Sequence, residues 1–128
     1  ISLEELVELY AGKTGALICV AAQPGAFAAG VPADDEKMKD VTAFAQRIGL
    51  VFQIVDDILD VTSTVEELGK NPGKDRENHK TTFMSFYDIP KAMDFARSNT
   101  CEAVKIMEKY SGSEKLCALA EYLCNRKK

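Results

Sequence analysis

Apolar residues recur at helical spacing along most of the chain, and no stretch alternates convincingly with the period of two that a half-buried strand requires. Leu3, Leu6, Val7 and Tyr10 form a first such set, behind Ser2 as N-cap and Glu4 and Glu5 in the first turn. The next stretch, GKTGALICVAAQPGAFAAG, is rich in alanine and favours helix, although Gly12, Gly15 and Pro24 weaken or kink it. Its small residues allow helices to approach closely, and Gly30-Val31-Pro32 closes it. The longest predicted helix spans residues 34 to 62, with Met38, Val41, Phe44, Ala45, Ile48 and Val51/Phe52 as its stripe. From Gly49 onward apolar side chains fall on nearly every side, which predicts a helix in the interior of a bundle. Residues 63 to 80 are polar, with Gly69, Pro72 and Gly73, and predict a long loop of the kind that is often functional. A short helix (81 to 88), a helix from Pro90 to Tyr110 and a last one from Ser113 to Asn125 complete an all-α helical bundle.

The central helix carries an anomaly, FQIVDDILDVTS over residues 52 to 63. Positions three and four apart share a helix face, so Gln53, Asp56, Asp57 and Asp60 form one polar patch on an apolar helix. Like charges at that spacing repel, and burial makes the repulsion worse, so a cation must offset them. A hard divalent ion such as Mg²⁺ takes carboxylate oxygens together with waters and substrate phosphates. A solvated cleft, or a basic helix elsewhere, would serve as well on this pattern alone. Lys13-Thr14 interrupts an apolar helix, and Lys70, Lys74 and Lys80 lie in or beside the glycine-containing loop after the aspartates. Read singly, these are a helix-end lysine and an ordinary polar loop. Read together with the carboxylates, they imply metal-bound diphosphate.

Composition narrows the classes. The chain has 128 residues, 46% of them hydrophobic, which is enough for one domain with a core. A net charge of −4 argues against nucleic acid as the main partner, and no apolar run is long enough for a membrane span. Cys19, Cys101, Cys117 and Cys124 form no CxxC pair and His79 stands in no zinc spacing, which predicts buried free thiols and a cytoplasmic protein. The acidic start ISLEELVELY does not look like a signal peptide. It has no initiating methionine and opens directly on a helix, so the expectation is a fragment or a processed product.

KTGALI (13 to 18), the small-residue stretch ending in GAFAAG, IGLVFQIVDDILDVTSTVEELGK (48 to 70), GKD (73 to 75) and HKTTF (79 to 83) occur in this order. Together they resemble the C-terminal half of trans-isoprenyl diphosphate synthases, most closely the bacterial farnesyl diphosphate synthase type. The likeness runs over essentially the whole chain, residues 1 to 128, including the closing LAEYLCNRKK. It implies the C-terminal part of the isoprenoid synthase fold and head-to-tail condensation of an allylic diphosphate with isopentenyl diphosphate, by a homodimer when complete. By this resemblance Asp56 and Asp57 bind Mg²⁺ and bridge to the allylic diphosphate, and Asp60 supports them. Lys13 contacts that diphosphate, with Thr14 near the reacting carbons. Gln53 orients the region and stabilises developing charge, and Lys70 and Lys80 assist diphosphate binding and closure.

The family also needs a first aspartate-rich motif followed by an arginine pair, and no such segment occurs here. The only other DD is Asp34-Asp35, which reads as an acidic helix cap. The chain alone is therefore expected to be catalytically incompetent and to self-associate through exposed apolar stripes. A non-catalytic helical partner subunit of a split synthase is the rival expectation. A class I terpene cyclase shares the ionisation logic but not the KT…DDxLD…GKD…KxT order. Arg126-Lys127-Lys128 offers either a cationic reach to a diphosphate when the site closes or, the favoured reading, a solvated, frayed tail.

Overall fold

A computed structural model describes residues 1–66 and 80–127, and among these residues every regular element is helical. The elements are α1 (Leu3–Tyr10), a wide π-helical turn (Ala11–Gly15), α2 (Ala16–Ala28), α3 (Glu36–Glu66), a 3₁₀ turn (Phe83–Ser85), α4 (Ile89–Glu108) and α5 (Glu114–Asn125). The all-α expectation holds, and the elements form a helical bundle around one long central helix. The predicted loop, with Lys70, Lys74 and His79, lies mostly outside the described residues, but α3 runs on to Glu66.

Local chemistry starts and stops these helices. Ser2 and Glu5 form a reciprocal cap: the Glu5 N–H donates to Ser2 Oγ at 3.1 Å and the Ser2 N–H to Glu5 Oε2 at 2.7 Å. Asp88 caps α4 by accepting from the Lys91 N–H at 2.9 Å, and Pro90 sits in the first turn, where a missing N–H costs nothing. At the head of α3, Asp35 Oδ1 accepts from the Lys37 N–H at 2.8 Å, the acidic cap its sequence predicts. Pro24 lies inside α2, which continues through it to Ala28, and the chain then turns at Gly30 with φ +87°.

Every other described element packs on α3. One core cluster gathers Leu6, Tyr10, Val51, Ile54, Val55, Ile58 and Phe83 with Ala92, Ala96 and Cys124. A second gathers Phe44, Ile48, Ala103, Met107 and Ala120. The predicted stripe is thus the buried one. Polar pins add register: the Gln23 side-chain N–H donates to Thr42 Oγ1 at 3.0 Å, Arg47 donates to Asn99 at 3.0 Å, and Asp40 accepts from Lys109 at 2.9 Å and from the Tyr110 hydroxyl.

Two expectations need correction. All four cysteines are free, but only Cys124 is buried and Cys101 is exposed, because α4 turns that position away from the core. The tail is not frayed at Arg126, whose side chain is 11% exposed and docked on α3. The guanidinium has both an anion and an aromatic ring to settle on.

The π turn meets α3 at a backbone-to-backbone contact. A Cβ on Gly49 would lie 2.8 Å from Gly15 Cα and 3.1 Å from Gly15 N, whereas a Cβ on Gly15 would meet nothing closer than 3.9 Å. The two glycines are therefore unequal. Gly49→Ala is expected to destabilise by about 1–3 kcal/mol from overpacking, despite the better helix propensity of alanine. Gly15→Ala is expected to be neutral or to stabilise by up to about 1 kcal/mol. Chemical denaturation of the pair measures the asymmetry, and equal effects would contradict the close crossing.

Candidate functional site

Asp57 faces inward from α3 and ties three segments together. Its Oδ2 accepts a short hydrogen bond from the Tyr10 hydroxyl and one of 2.9 Å from the Phe83 backbone N–H. Tyr10 is the last residue of α1 and leads into the π turn that carries Lys13 and Thr14. Phe83 opens the 3₁₀ turn directly after Lys80-Thr81-Thr82. Phe83 is held there by full burial, with its ring 5.4 Å from those of Tyr87 and Phe95. The Thr82 side chain caps the same turn by accepting from the Met84 N–H at 3.2 Å. Burial pushes the Asp57 carboxyl above its ordinary range. The Tyr10 and Phe83 donors oppose that rise, while the nearby Asp60 and Asp56 charges add to it. Burial and the adjacent Asp57 also push the Tyr10 phenol far upward, so it remains a donor.

Asp56, the next residue, points to the other side of the patch and is 39% exposed. Its Oδ1 accepts from Arg126 Nη2 at 2.5 Å. The same nitrogen donates to the Phe52 carbonyl at 2.9 Å, and the guanidinium carbon lies 4.3 Å from the centre of the Phe52 ring. Asp60 is exposed one turn further along α3, and Gln53 is half-buried one turn before the pair. Lys13 is exposed and Thr14 half-buried on the π turn, a helix irregularity often found at functional positions. Lys80 is exposed at the head of its segment, and Lys70 lies outside the described residues.

The structure thus brings the lysine–threonine turn, the aspartates and the Lys80 segment to one region. Among the described residues, no three acidic, histidine or cysteine groups converge into a ready-made metal cage. Mg²⁺ does not require one, since it uses one or two carboxylates together with waters and substrate phosphates. The donor set fits that demand. In the described hydrogen bonds each adjacent carboxylate is held by one oxygen only, Oδ1 of Asp56 and Oδ2 of Asp57.

Three participants escape sequence reasoning. Tyr10 counts as one more apolar position in the α1 stripe, and its only signal is being the residue of that stripe with a polar tip. Phe83 acts through its backbone, which no side-chain pattern reveals. Arg126 lies 70 residues from its partner.

Comparison with known proteins gives the family of the chain. The sequence pattern of the polyprenyl synthetase family matches residues 1–122. The chain is 40% identical, over its whole length, to 34% of the heterodimeric geranylgeranyl pyrophosphate synthase large subunit 2 of Arabidopsis thaliana. It is 38% identical to a geranylgeranyl diphosphate synthase of Cyanophora paradoxa, covering 98% of the chain and 41% of that protein. It is 37% identical to a dimethylallyltranstransferase of Fischerella ambigua, again over 98% of the chain and 36% of that protein. The chain therefore spans roughly 34–41% of the curated relatives it matches. The geranylgeranyl names correct the expectation that the farnesyl type is nearest.

Tyr10→Phe removes a donor from a partly buried carboxylate, and the expected loss at neutral pH is about 1–3 kcal/mol. Because Asp57 titrates higher in the fold than in the unfolded chain, its contribution is full below the ordinary carboxylate value and declines as pH rises. Losing Tyr10 raises that carboxyl further, so the deficit of the variant grows from about pH 4 to pH 7. Urea denaturation across that range checks it, and a deficit that is constant or larger in acid would contradict the assignment.

Proposed function

We propose that this chain, which belongs to the polyprenyl synthetase family, supplies one side of a metal–diphosphate site in a trans-prenyltransferase. The reaction in view joins an allylic diphosphate to isopentenyl diphosphate. The observation that carries this reading is the junction at Asp57, where one carboxylate connects the Lys13 turn, the aspartate helix and the Lys80 segment. A purely structural bundle has no need of three carboxylates on one face of its central helix, least of all of Asp57, whose partial burial is costly.

Under this reading Asp56 and Asp57 would hold Mg²⁺, with Asp60 beside them, and the ion would supply charge stabilisation to a departing diphosphate. Lys13 and Lys80, exposed on the two flanking segments, are assigned as cationic donors to phosphate oxygens, and Lys70 with them. Thr14, beside Lys13, is assigned to the vicinity of the reacting carbons, and Gln53, half-buried one turn before the aspartates, to stabilising the charge that develops on ionisation. The allylic cation would need a dry pocket free of other nucleophiles, and the apolar walls of the helices would supply it. After coupling, the released diphosphate is the base that takes the proton.

α2 has no buried residue although most of its side chains are apolar; Leu17 is 70% exposed and Val20 65%. In a completed domain these faces pack against residues outside this chain, which also bring the first aspartate-rich motif. One relative is named the large subunit of a heterodimer, which keeps a split assembly beside the homodimer as an arrangement for the whole protein. No helix of the described residues is long and apolar enough to cross a membrane, and free thiols fit a reducing compartment, of which the cytoplasm is one.

Three experiments test this account. In the complete protein, Asp57→Ala is expected to lower Mg²⁺-dependent turnover by about 100-fold or more and to abolish Mg²⁺-dependent diphosphate binding. The isolated chain is expected to show no turnover with both substrates, and unchanged binding in the variant or robust turnover of the chain would contradict the reading. Light scattering of the isolated chain is expected to report dimers or larger species that cover α2, and a clean monomer would contradict the exposed-face assignment.

A further inference from the structure

Arg126 is the most heavily engaged cation of the described surface, and the reaction as outlined gives it no part. Its guanidinium combines three anchors: Asp56 Oδ1 at 2.5 Å, the Phe52 carbonyl at 2.9 Å and the Phe52 ring at 4.3 Å. The residue follows α5 with extended backbone, φ −63° and ψ 149°, which turns the chain end back across α3. An arginine in a terminal segment ordinarily keeps its charge in water, where an ion pair contributes little. This one is 11% exposed and fixed from two sides by a single residue of α3. Phe52 and Asp56 are four apart, so the same helix face supplies the platform and the anion.

The consequence lies in which oxygen is taken. Arg126 holds Oδ1 of Asp56 as Tyr10 and Phe83 hold Oδ2 of Asp57, so each neighbouring carboxylate is clamped through one oxygen by the protein. Clamping of this kind limits rotation of a carboxylate and orients its second oxygen toward a ligand. We propose that Arg126 is a positioning residue for the metal site, acting through Asp56, and that the C-terminal turn thereby forms part of the site's outer shell. The inference rests on the metal reading above and extends it to a residue that never touches substrate.

Binding of Mn²⁺ alone, followed by its paramagnetic resonance signal in the naturally produced protein below the melting temperature of every variant, tests this. Arg126→Met is expected to weaken Mn²⁺ binding by about tenfold or more. Arg126→Lys, which keeps the charge but loses the planar fork, is expected to fall between wild type and Arg126→Met. Phe52→Leu leaves the arginine in place and removes only its platform. It is expected to weaken binding about threefold, and this variant decides the matter if Arg126→Met does not fold. Lys127→Ala, exposed on the same tail, is expected to change nothing. Unchanged or tighter binding in the Arg126 and Phe52 variants would overturn the proposal, tighter binding marking Arg126 as a competitor of the metal. If Asp57→Ala abolishes binding while these variants do not alter it, the inference about Arg126 fails alone. If Asp57→Ala also has no effect, the metal reading itself fails.

Discussion

The Asp57 carboxylate, bonded to the Tyr10 hydroxyl and the Phe83 N–H, is the constraint on which the arrangement depends. Placing a carboxylate in the partly buried joint between three segments is unfavourable unless donors meet it there. The donors come from the end of α1 and the start of the 3₁₀ turn, segments that lie far from Asp57 and from each other in sequence. The bonds that satisfy Asp57 therefore also fix where the Lys13 turn and the Lys80 segment sit relative to the aspartate helix. Stability and placement of chemical groups are carried by the same atoms.

The backbone contact between Gly15 and Gly49 acts in the same direction. It draws the π turn against α3 one turn before Gln53, and a side chain at position 49 would separate them. Arg126 does for Asp56 what Tyr10 and Phe83 do for Asp57. α3 thus functions less as a carrier of three equivalent acids than as a rail. Its carboxylates are differentiated by their neighbours: Asp57 is inward and clamped, Asp56 is half-open and clamped, and Asp60 is exposed.

Much of this was legible in the sequence, for a physical reason. The period of 3.6 over Met38 to Ile58 could mark only a helix with a buried stripe, and the apolar girdle after Gly49 could be satisfied only at the centre of a bundle. The polar set Gln53, Asp56, Asp57 and Asp60 contradicted that environment and so pointed to a candidate site. Illegible were the interactions that depend on distant chain segments meeting. A phenol that reads as apolar, a backbone N–H and a terminal arginine carry no local pattern. The π turn was hidden because Gly12 and Gly15 signal weakness in a helix but not its width. Cys19, Cys101 and Cys117 misled because burial was inferred from residue type rather than from helix face.

The central claim is that Asp56 and Asp57, clamped through one oxygen each, present the others to a metal–diphosphate ligand. A crystal of the complete protein soaked with Mn²⁺ and inorganic pyrophosphate, examined by anomalous scattering, tests it most directly. The account predicts a Mn²⁺ peak at coordination distance from Asp56 or Asp57, bridging to pyrophosphate, with the Tyr10, Phe83 and Arg126 contacts retained. A fully occupied Mn²⁺–pyrophosphate complex elsewhere in the molecule, leaving both carboxylates without metal, would contradict it.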